Sequence, residues 1–144
     1  MGVKQILEEK GRDVFTLDVG VTLGEAATAL ATRRIGALIL LEPDGRLAGI
    51  LSERDVVRMI GTTGPDCLSE SVADVMTRKV TTCGEEATVN EVMELMTRGR
   101  FRHIPVVEGG KLVGLVSIGD LVKRRIEDAE REAEDMRTYI AAAG

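Results

Sequence analysis

The sequence predicts a mixed α+β fold made of two similar β-α-β-β-α units followed by a C-terminal helix. The first observation behind this prediction is an internal repeat, because Gly49–Asp55 (GILSERD) returns later in the chain as Gly114–Asp120 (GLVSIGD). Each copy reads glycine, two apolar residues, serine, two variable residues and aspartate. The second observation is that short apolar runs and helical patterns follow in the same order in both halves. Two similar substructures that bury a face against each other are therefore expected.

The repeat extends well beyond these two segments. Val3–Leu7 matches Val72–Met76, and Ile35–Leu41 matches Phe101–Val107 at an offset of 66. The offset changes by one residue in the turn that follows, where an insertion buries little surface. We therefore divide the chain into a first unit at 1–60, a linker at 61–71, a second unit at 72–125 and a C-terminal helix at 126–144.

Each unit is predicted to open with a short strand, over Val14–Leu17 and over Val80–Thr82. A helix follows in each, because Thr22-x-x-Glu25 and Thr88-x-x-Glu91 are capping boxes, in which the two side chains satisfy free N–H groups at a helix start. Apolar residues then recur at helical spacing. The helices are predicted to end near Arg33-Arg34 and near Arg98-Gly99.

A β-hairpin and a second helix complete each unit. The hairpin strands are predicted at Ala37–Leu41 with Leu47–Leu51, and at Ile104–Val107 with Leu112–Val116. Their turns are Pro43-Asp44-Gly45 and Gly109-Gly110, which have the composition of hairpin turns. The second helix begins after the serine of each repeated segment. Gly61–Asp66 separates the units and is rich in turn-forming residues.

Composition excludes several classes of protein. The net charge of −5 and the pI of about 5.0 argue against a general nucleic-acid binder. No apolar run approaches the length of a membrane span and no signal-peptide pattern opens the chain, so a cytoplasmic location is expected. Cys67 and Cys83 fit a reducing compartment, and with a single histidine no zinc site is predicted. Aromatic residues make up only 2% of the chain, so the core must be aliphatic.

The C-terminal helix carries a heptad pattern. Its apolar positions are spaced by four and three residues in alternation, at Val122, Ile126, Ala129, Ala133, Met136 and Ile140. Opposite charges four residues apart line its other sides. Two interpretations are open: the helix packs on its own domain, or it crosses to a partner subunit.

The chain resembles proteins with a tandem pair of CBS domains, the modules named after cystathionine β-synthase. The resemblance is carried by the two G-h-h-S-x-x-D segments, where h is apolar, by Arg102–Val106, and by Val72–Thr77. It covers nearly the whole chain except the C-terminal helix. It implies that the two units pack with pseudo-two-fold symmetry around two clefts, and that the module forms homodimers. It also implies adenosine-containing ligands: AMP, ADP, ATP or NAD(H), with S-adenosylmethionine ranked below them.

The residues of each segment suit such a ligand. The carboxylates of Asp55 and Asp120 can accept hydrogen bonds from both ribose hydroxyls. The hydroxyls of Ser52 and Ser117 lie at helix starts, beside free N–H groups that could contact a phosphate. A small residue before them could admit an adenine between strands. The alternative is structural, because Ser-x-x-Asp is also an ordinary helix cap. Both roles can coexist.

The two sites are expected to differ. Arg102 and His103 precede the second strand of the second unit, and the resemblance implies that these positions contact phosphate. The matching residues of the first unit are uncharged, although Arg54 lies inside its segment. We therefore expect Ser117 and Asp120 to form the better mononucleotide site. The Ser52 and Asp55 site would take a ligand with less phosphate, or a dinucleotide. The basic residues could instead be a solvated helix end.

Three classes of function compete. The leading one is a stand-alone regulatory sensor whose ligand shifts its conformation, which an unidentified effector protein then detects. The second is an enzyme, and the sequence offers no Ser-His-Asp set, metal cluster or glycine-rich phosphate loop for it. The third is a structural dimerisation module that binds little or no ligand. The repeated Ser and Asp residues favour the sensor.

Overall fold

The computed structural model describes residues 2–143 and confirms the α+β class. The α-helices are α1 (Val3–Lys10), α2 (Leu23–Arg33), α3 (Glu53–Thr63), α4 (Val89–Gly99) and α5 (Ile118–Ala143). The strands are β1 (Thr16–Asp18), β2 (Ala37–Leu41), β3 (Leu47–Ser52), β4 (His103–Glu108) and β5 (Lys111–Ser117). Short 3-10 helices cover Pro65–Ser69 and Val72–Asp74. Both hairpins therefore form where the alternation of apolar runs and turns predicted them.

The strands form two small sheets with the same local pattern. In the first sheet, of order β1-β2-β3, β1 is parallel to β2 and β2 is antiparallel to β3. The second sheet has the order β4-β5. Leu17 pairs in parallel with Leu40, and at the counterpart position of the second repeat Cys83 forms a single parallel bridge to Val106. The predicted strand over Val80–Thr82 is therefore wrong. That polar segment is largely exposed, and only Cys83, which follows it, pairs with β4.

Helix boundaries follow local signals closely. Thr22 and Thr88 accept hydrogen bonds from the N–H groups three residues on, which is the threonine half of each predicted capping box. Left-handed residues end α2 and α4, at Arg34 (φ 53°) and Arg100 (φ 57°). The first three residues of the predicted linker, which begins at Gly61, belong to α3, because that helix continues to Thr63. Threonine hydroxyls that donate to carbonyls one turn back accompany this extension.

The segment before each repeat pairs with the other repeat. We call these two segments, Val3–Leu7 and Val72–Met76, the exchanged segments. The N–H of Val3 donates to the carbonyl of Ala87, which belongs to the second repeat, at 3.0 Å. The N–H of Val72 donates to the carbonyl of Val21, which belongs to the first repeat, also at 3.0 Å. The two donors lie 69 positions apart and the two acceptors 66, which are the offsets at which their segments match in the sequence. The same hydrogen bond therefore occurs once in each direction between the repeats.

The chain accordingly divides into two compact units. The first contains residues 13–81 and 109–113, and the second contains residues 2–12, 82–108 and 114–143. Each unit has an aliphatic core. Many buried residues of one core lie at positions that the repeat aligns with buried residues of the other core. These pairs are Leu23 and Val89, Ala26 and Val92, Leu30 and Met96, Leu38 and Ile104, Leu40 and Val106, Leu51 and Val116, Val56 and Leu121, Val72 and Val3, and Met76 and Leu7.

Candidate functional site

The predicted serine and aspartate residues come together at two helix starts, one in each compact unit. We call Ser52 with Asp55 the first corner and Ser117 with Asp120 the second corner. In the first corner the N–H of Ser52 donates to Asp55 Oδ2 at 2.9 Å, and the N–H of Asp55 donates to Ser52 Oγ at 3.3 Å. The corresponding distances in the second corner are 2.9 Å and 3.2 Å. Each corner is therefore a reciprocal cap of its helix.

The N–H groups beside each serine are less available than the sequence predicted. The N–H of Glu53 donates to the carbonyl of Gly36 at 2.9 Å, and the N–H of Ile118 donates to the carbonyl of Arg102 at 2.8 Å. The aspartate N–H groups are also used, by the caps described above. Two N–H groups at each helix start therefore already have acceptors, which leaves fewer free groups than the sequence predicted. The reason is that the residue before β2 or β4 supplies a tertiary acceptor.

The glycine that opens each repeated segment has a packing role. A Cβ atom on Gly49 would lie 2.7 Å from Met76 Sδ and 2.7 Å from the carbonyl oxygen of Thr77. A Cβ atom on Gly114 would lie 2.6 Å from Leu7 Cδ2. The space beside each of these glycines is therefore filled by the segments that the two repeats exchange. Glycine is needed there because any side chain would meet them.

Lys10 distinguishes the second corner from the first. Its Nζ lies 2.7 Å from Asp120 Oδ2 and 3.0 Å from the carbonyl oxygen of Leu115. In the first corner, the ion pair of Asp55 is a looser one, with Arg58 at 3.7 Å. Lys79 is the repeat counterpart of Lys10, and it makes no ion pair within residues 2–143. Sequence reasoning missed Lys10, although extending the match of Val3 with Val72 would have pointed to both lysines.

The charge of Asp120 is stabilised by this arrangement. Partial burial raises the pKa of its carboxyl group, but other contacts lower it by more. These contacts are the hydrogen bond and positive charge of Lys10 and the N–H and hydroxyl of Ser117. The net pKa lies below the usual value of 3.8, so Asp120 is a carboxylate at neutral pH. A carboxylate at this place can accept hydrogen bonds from ligand hydroxyls once Lys10 moves.

Asp120 opens onto a small cavity of about 70 Å³ within the second compact unit. Its lining combines an apolar residue with charged ones: Ile6, Glu9, Lys10, Asp120, Lys123 and Arg124. Sites for drug-sized molecules typically have volumes of about 300–1,000 Å³. The cavity can therefore hold only a small part of a nucleotide, and a whole nucleotide would need side chains such as Lys10 to move.

The other predicted binding residues lie at the ends of nearby elements. Arg102 is exposed, and its carbonyl group contacts the first residue of α5, so the structure brings it next to the second corner. His103 is half-buried and is the first residue of β4. Arg54 is exposed at the second position of α3. Two further arginines at the end of α4 have local roles, because Arg98 pairs with Glu94 and Arg100 is the left-handed cap of the helix.

Other kinds of site find little support in the described residues. No group of three or more His, Cys, Asp and Glu side chains is arranged there to hold a metal ion. Burial and the neighbouring Glu108 raise the pKa of the Cys83 thiol to about 11, so it stays protonated at neutral pH. Cys67 is buried in the core of the first compact unit. None of the helices within residues 2–143 has the length and apolar character needed to cross a bilayer.

The repeated corners and exchanged segments agree with a match to the family model "CBS domain", which covers residues 3–62 and 72–127. The chain belongs to the CBS-domain family. A CBS-domain protein of Agrobacterium tumefaciens has a crystal structure that is 46% identical, with a TM-score of 0.83 over 85% of this chain and 92% of that one. A mitochondrial CBS domain-containing protein of Arabidopsis thaliana is 37% identical over 123 residues. Those residues cover 83% of this chain but only 60% of the length of the Arabidopsis protein.

Two similar structures are described with ligands. A CBS domain protein of Pyrobaculum aerophilum, complexed with AMP, is 29% identical. The match covers 83% of this chain and 89% of that one, with a TM-score of 0.74. The CBS domain pair of protein MJ0100, in complex with 5′-methylthioadenosine and S-adenosyl-L-methionine, is 25% identical. It covers 89% of this chain and 98% of that one, with a TM-score of 0.78. The ligands of both proteins contain adenosine.

Proposed function

We propose that this chain is a regulatory module that binds an adenosine-containing nucleotide at its Ser/Asp corners and signals its occupancy by a conformational change. The observation that carries the proposal is the equivalence of the two corners. Each presents an aspartate carboxylate, held by the same pair of hydrogen bonds, at the start of a helix. A carboxylate is a strong acceptor for the two adjacent hydroxyls of a ribose. The AMP complex of the Pyrobaculum relative supports the same ligand class.

The charges near the second corner favour a ligand that carries phosphate. Lys10 and Lys123 line its cavity, and Arg102 lies beside its helix start. A phosphate would be attracted to these cations, whereas the sulfonium of S-adenosylmethionine would be repelled. We therefore rank AMP, ADP, ATP and NAD(H) above S-adenosylmethionine, although the MJ0100 pair is described with the latter. Ser52, Arg54 and Asp55 form the second proposed site.

Lys10 gives a physical route for the conformational change. A ribose that bonds to Asp120 must compete with Lys10, which already occupies the same carboxylate at 2.7 Å. Lys10 is the last residue of α1, so its release removes one of the contacts that hold this helix to α5. The freed ammonium group could then meet the ligand phosphate. Binding shifts the conformation only to the extent that the ligand favours the state with Lys10 released.

A second candidate function is a structural dimerisation module with little or no ligand binding. It is favoured by the corners themselves, because serine and aspartate satisfy each other and need no ligand to stabilise the helix starts. Under both proposals the chain forms a homodimer, and under the first it also acts on an effector protein. Neither requires catalysis by this chain. The cytoplasmic location stays a prediction from the sequence, while the Arabidopsis relative is described as mitochondrial.

Thermal denaturation with a panel of ligands separates the two candidates. The panel would contain AMP, ADP, ATP, NAD, NADH and S-adenosylmethionine, with guanosine nucleotides as controls. A ligand at 100 times its Kd adds about 2.7 kcal/mol to the free energy of unfolding. We expect at least one adenosine ligand to raise the Tm, and we expect the double variant Asp55→Asn/Asp120→Asn to lose that shift. No shift with any adenosine ligand, for protein freed of bound nucleotide, would favour the structural module.

A further inference from the structure

The outer part of α5 carries an apolar surface that the described chain does not cover. One side of the first ten residues of the helix packs on its own unit, where Leu121 and Arg124 are buried and Arg124 pairs with Glu9 at 2.8 Å. Beyond them, every residue from Ala129 to Ala143 is exposed. For this outer part, the interpretation that the helix packs on its own domain is therefore wrong.

Six exposed apolar residues of α5 lie along one line. We call this line the α5 seam, and it consists of Val122, Ile126, Ala129, Ala133, Met136 and Ile140. Ile126 is 52% exposed, Met136 57% and Ile140 62%. The alternating spacing of four and three residues keeps these side chains on one face of a helix, as in a coiled coil. An isolated helix of about 12–15 residues is only marginally stable in water, so a partner along the seam would stabilise it.

We propose that the α5 seam binds the same seam of a second copy of this chain, as a parallel, in-register helix pair. The charges beside the seam identify a second copy as the occupant. In a parallel pair, Glu132 of one helix would lie opposite Arg137 of the other, and Arg125 would lie opposite Glu130, and each pair occurs twice by symmetry. All four contacts are between opposite charges. An unrelated helix would have no reason to match both.

This inference deepens the homodimer of the proposed function by naming its surface, and it does not depend on nucleotide binding. The seam also extends beyond the match to the family model, which ends at residue 127. The pairing is therefore a property of this chain's own C-terminal segment. The two central positions of the seam are alanines, which bury little apolar surface. We therefore expect a dimer weak enough for its dissociation constant to be measured by dilution.

Sedimentation velocity over a dilution series of the full chain tests the pairing. Met136→Asp would bury a carboxylate without a partner, so we expect it to raise the dissociation constant of the dimer by at least about tenfold. Thr138→Asp is the matched control, because it adds the same charge two residues away on the outer side of the helix. We expect the control to behave like the wild type. A monomeric wild type at its highest soluble concentration would overturn the proposal, and so would equal constants for both variants.

A charge exchange tests the same pairing without touching the apolar residues. Glu132→Arg and Arg137→Glu should each weaken the dimer, and the double variant should restore it, because the pair across the interface is then attractive again. The arginine introduced by Glu132→Arg would lie four residues from Asp128 and three from Asp135, so the helix itself is not weakened. Failure of the double variant to restore the dimer would overturn the parallel pairing. Nucleotide-induced Tm shifts of the same variants report on the proposed function separately.

Discussion

The two corners have the same backbone geometry but different neighbours. Both cap a helix with a serine and an aspartate three residues apart. The serine N–H lies 2.9 Å from the aspartate Oδ2 in both corners, and the aspartate N–H lies 3.3 Å from the serine Oγ in the first corner and 3.2 Å in the second. Asp120 forms an ion pair with Lys10 at 2.7 Å, whereas the ion pair of Asp55, with Arg58, is looser at 3.7 Å. The cap is therefore common to both repeats, and the charge around it has diverged. The repeated motif therefore fixes each helix start, whereas the charges around its aspartate depend on residues far away in the sequence.

The largest expected effect concerns the glycines that open the two corner segments. Gly49→Ala would place a Cβ atom 2.7 Å from a backbone oxygen, that of Thr77, which cannot move easily. Gly114→Ala would instead meet the flexible end of Leu7, at 2.6 Å. We expect Gly49→Ala to lower the free energy of unfolding by about 2–3 kcal/mol, and Gly114→Ala by about 1 kcal/mol. Urea denaturation measures both, and equal losses would contradict the difference in packing.

The next effect concerns the two aspartates as ligand acceptors. Asp120→Ala should weaken AMP binding to the chain by about tenfold or more, because it removes a charged acceptor from the site with more neighbouring cations. Asp55→Ala should weaken total binding less. Isothermal titration calorimetry with AMP measures both constants. Equal losses from the two substitutions would show that the corners are equivalent in spite of Lys10.

A smaller effect is expected from Lys10 itself. Lys10→Ala removes the competitor for Asp120, so adenosine should bind more tightly, by up to about fivefold, the equivalent of a partly exposed ion pair. AMP should gain less, because the variant also loses a cation near its phosphate. Lys79→Ala is the matched control at the counterpart position and should change neither affinity. If adenosine binds Lys10→Ala no better than the wild type, Lys10 does not compete with the ligand.

The smallest expected effect is a change of stability with pH. The pKa of Asp120 is lower in the folded chain than its usual 3.8. Its contribution to stability is therefore fully present above the unfolded pKa and is lost as the pH falls below about 4. Asp120→Asn lacks this titration, so the stability difference between wild type and variant should shrink on acidification from pH 5. Urea denaturation at several pH values measures the difference, and a constant value would contradict the lowered pKa.

Much of the fold could be predicted because its signals are local. The hairpin turns, the threonine caps and the corner serines each act within a few residues, and the repeat supplied every one of them twice. The strand expected over Val80–Thr82 failed because pairing depends on the partner strand, and β4 pairs with Cys83, which follows that segment. The aliphatic core followed from composition and the matching core positions from the repeat, but the exchange of the preceding segments between the repeats required the structure.

The sites were harder to predict than the fold. The three-residue spacing brings Ser117 and Asp120 together, but Lys10 reaches Asp120 across 110 positions. Likewise, the acceptor for the N–H of Ile118 is a carbonyl group, which leaves no trace in residue identity. The packing role of the corner glycines is equally hidden, because the exchange of Leu7 and Met76 is not visible in the sequence. Long-range contacts and backbone acceptors are the information that a single sequence lacks.

The exchanged segments have a consequence for how the chain folds as it is made. Val3 leaves the ribosome long before its hydrogen-bond partner Ala87 is synthesised, because the whole first repeat lies between them. The partners Val72 and Val21, by contrast, lie closer together along the chain. Because long-range contacts form late, the apolar face of α1 stays unpaired until the first repeat and the start of the second have been synthesised. A ribosome pause placed before the second repeat would expose Val3, Ile6 and Leu7 to chaperones, and one placed after it would not.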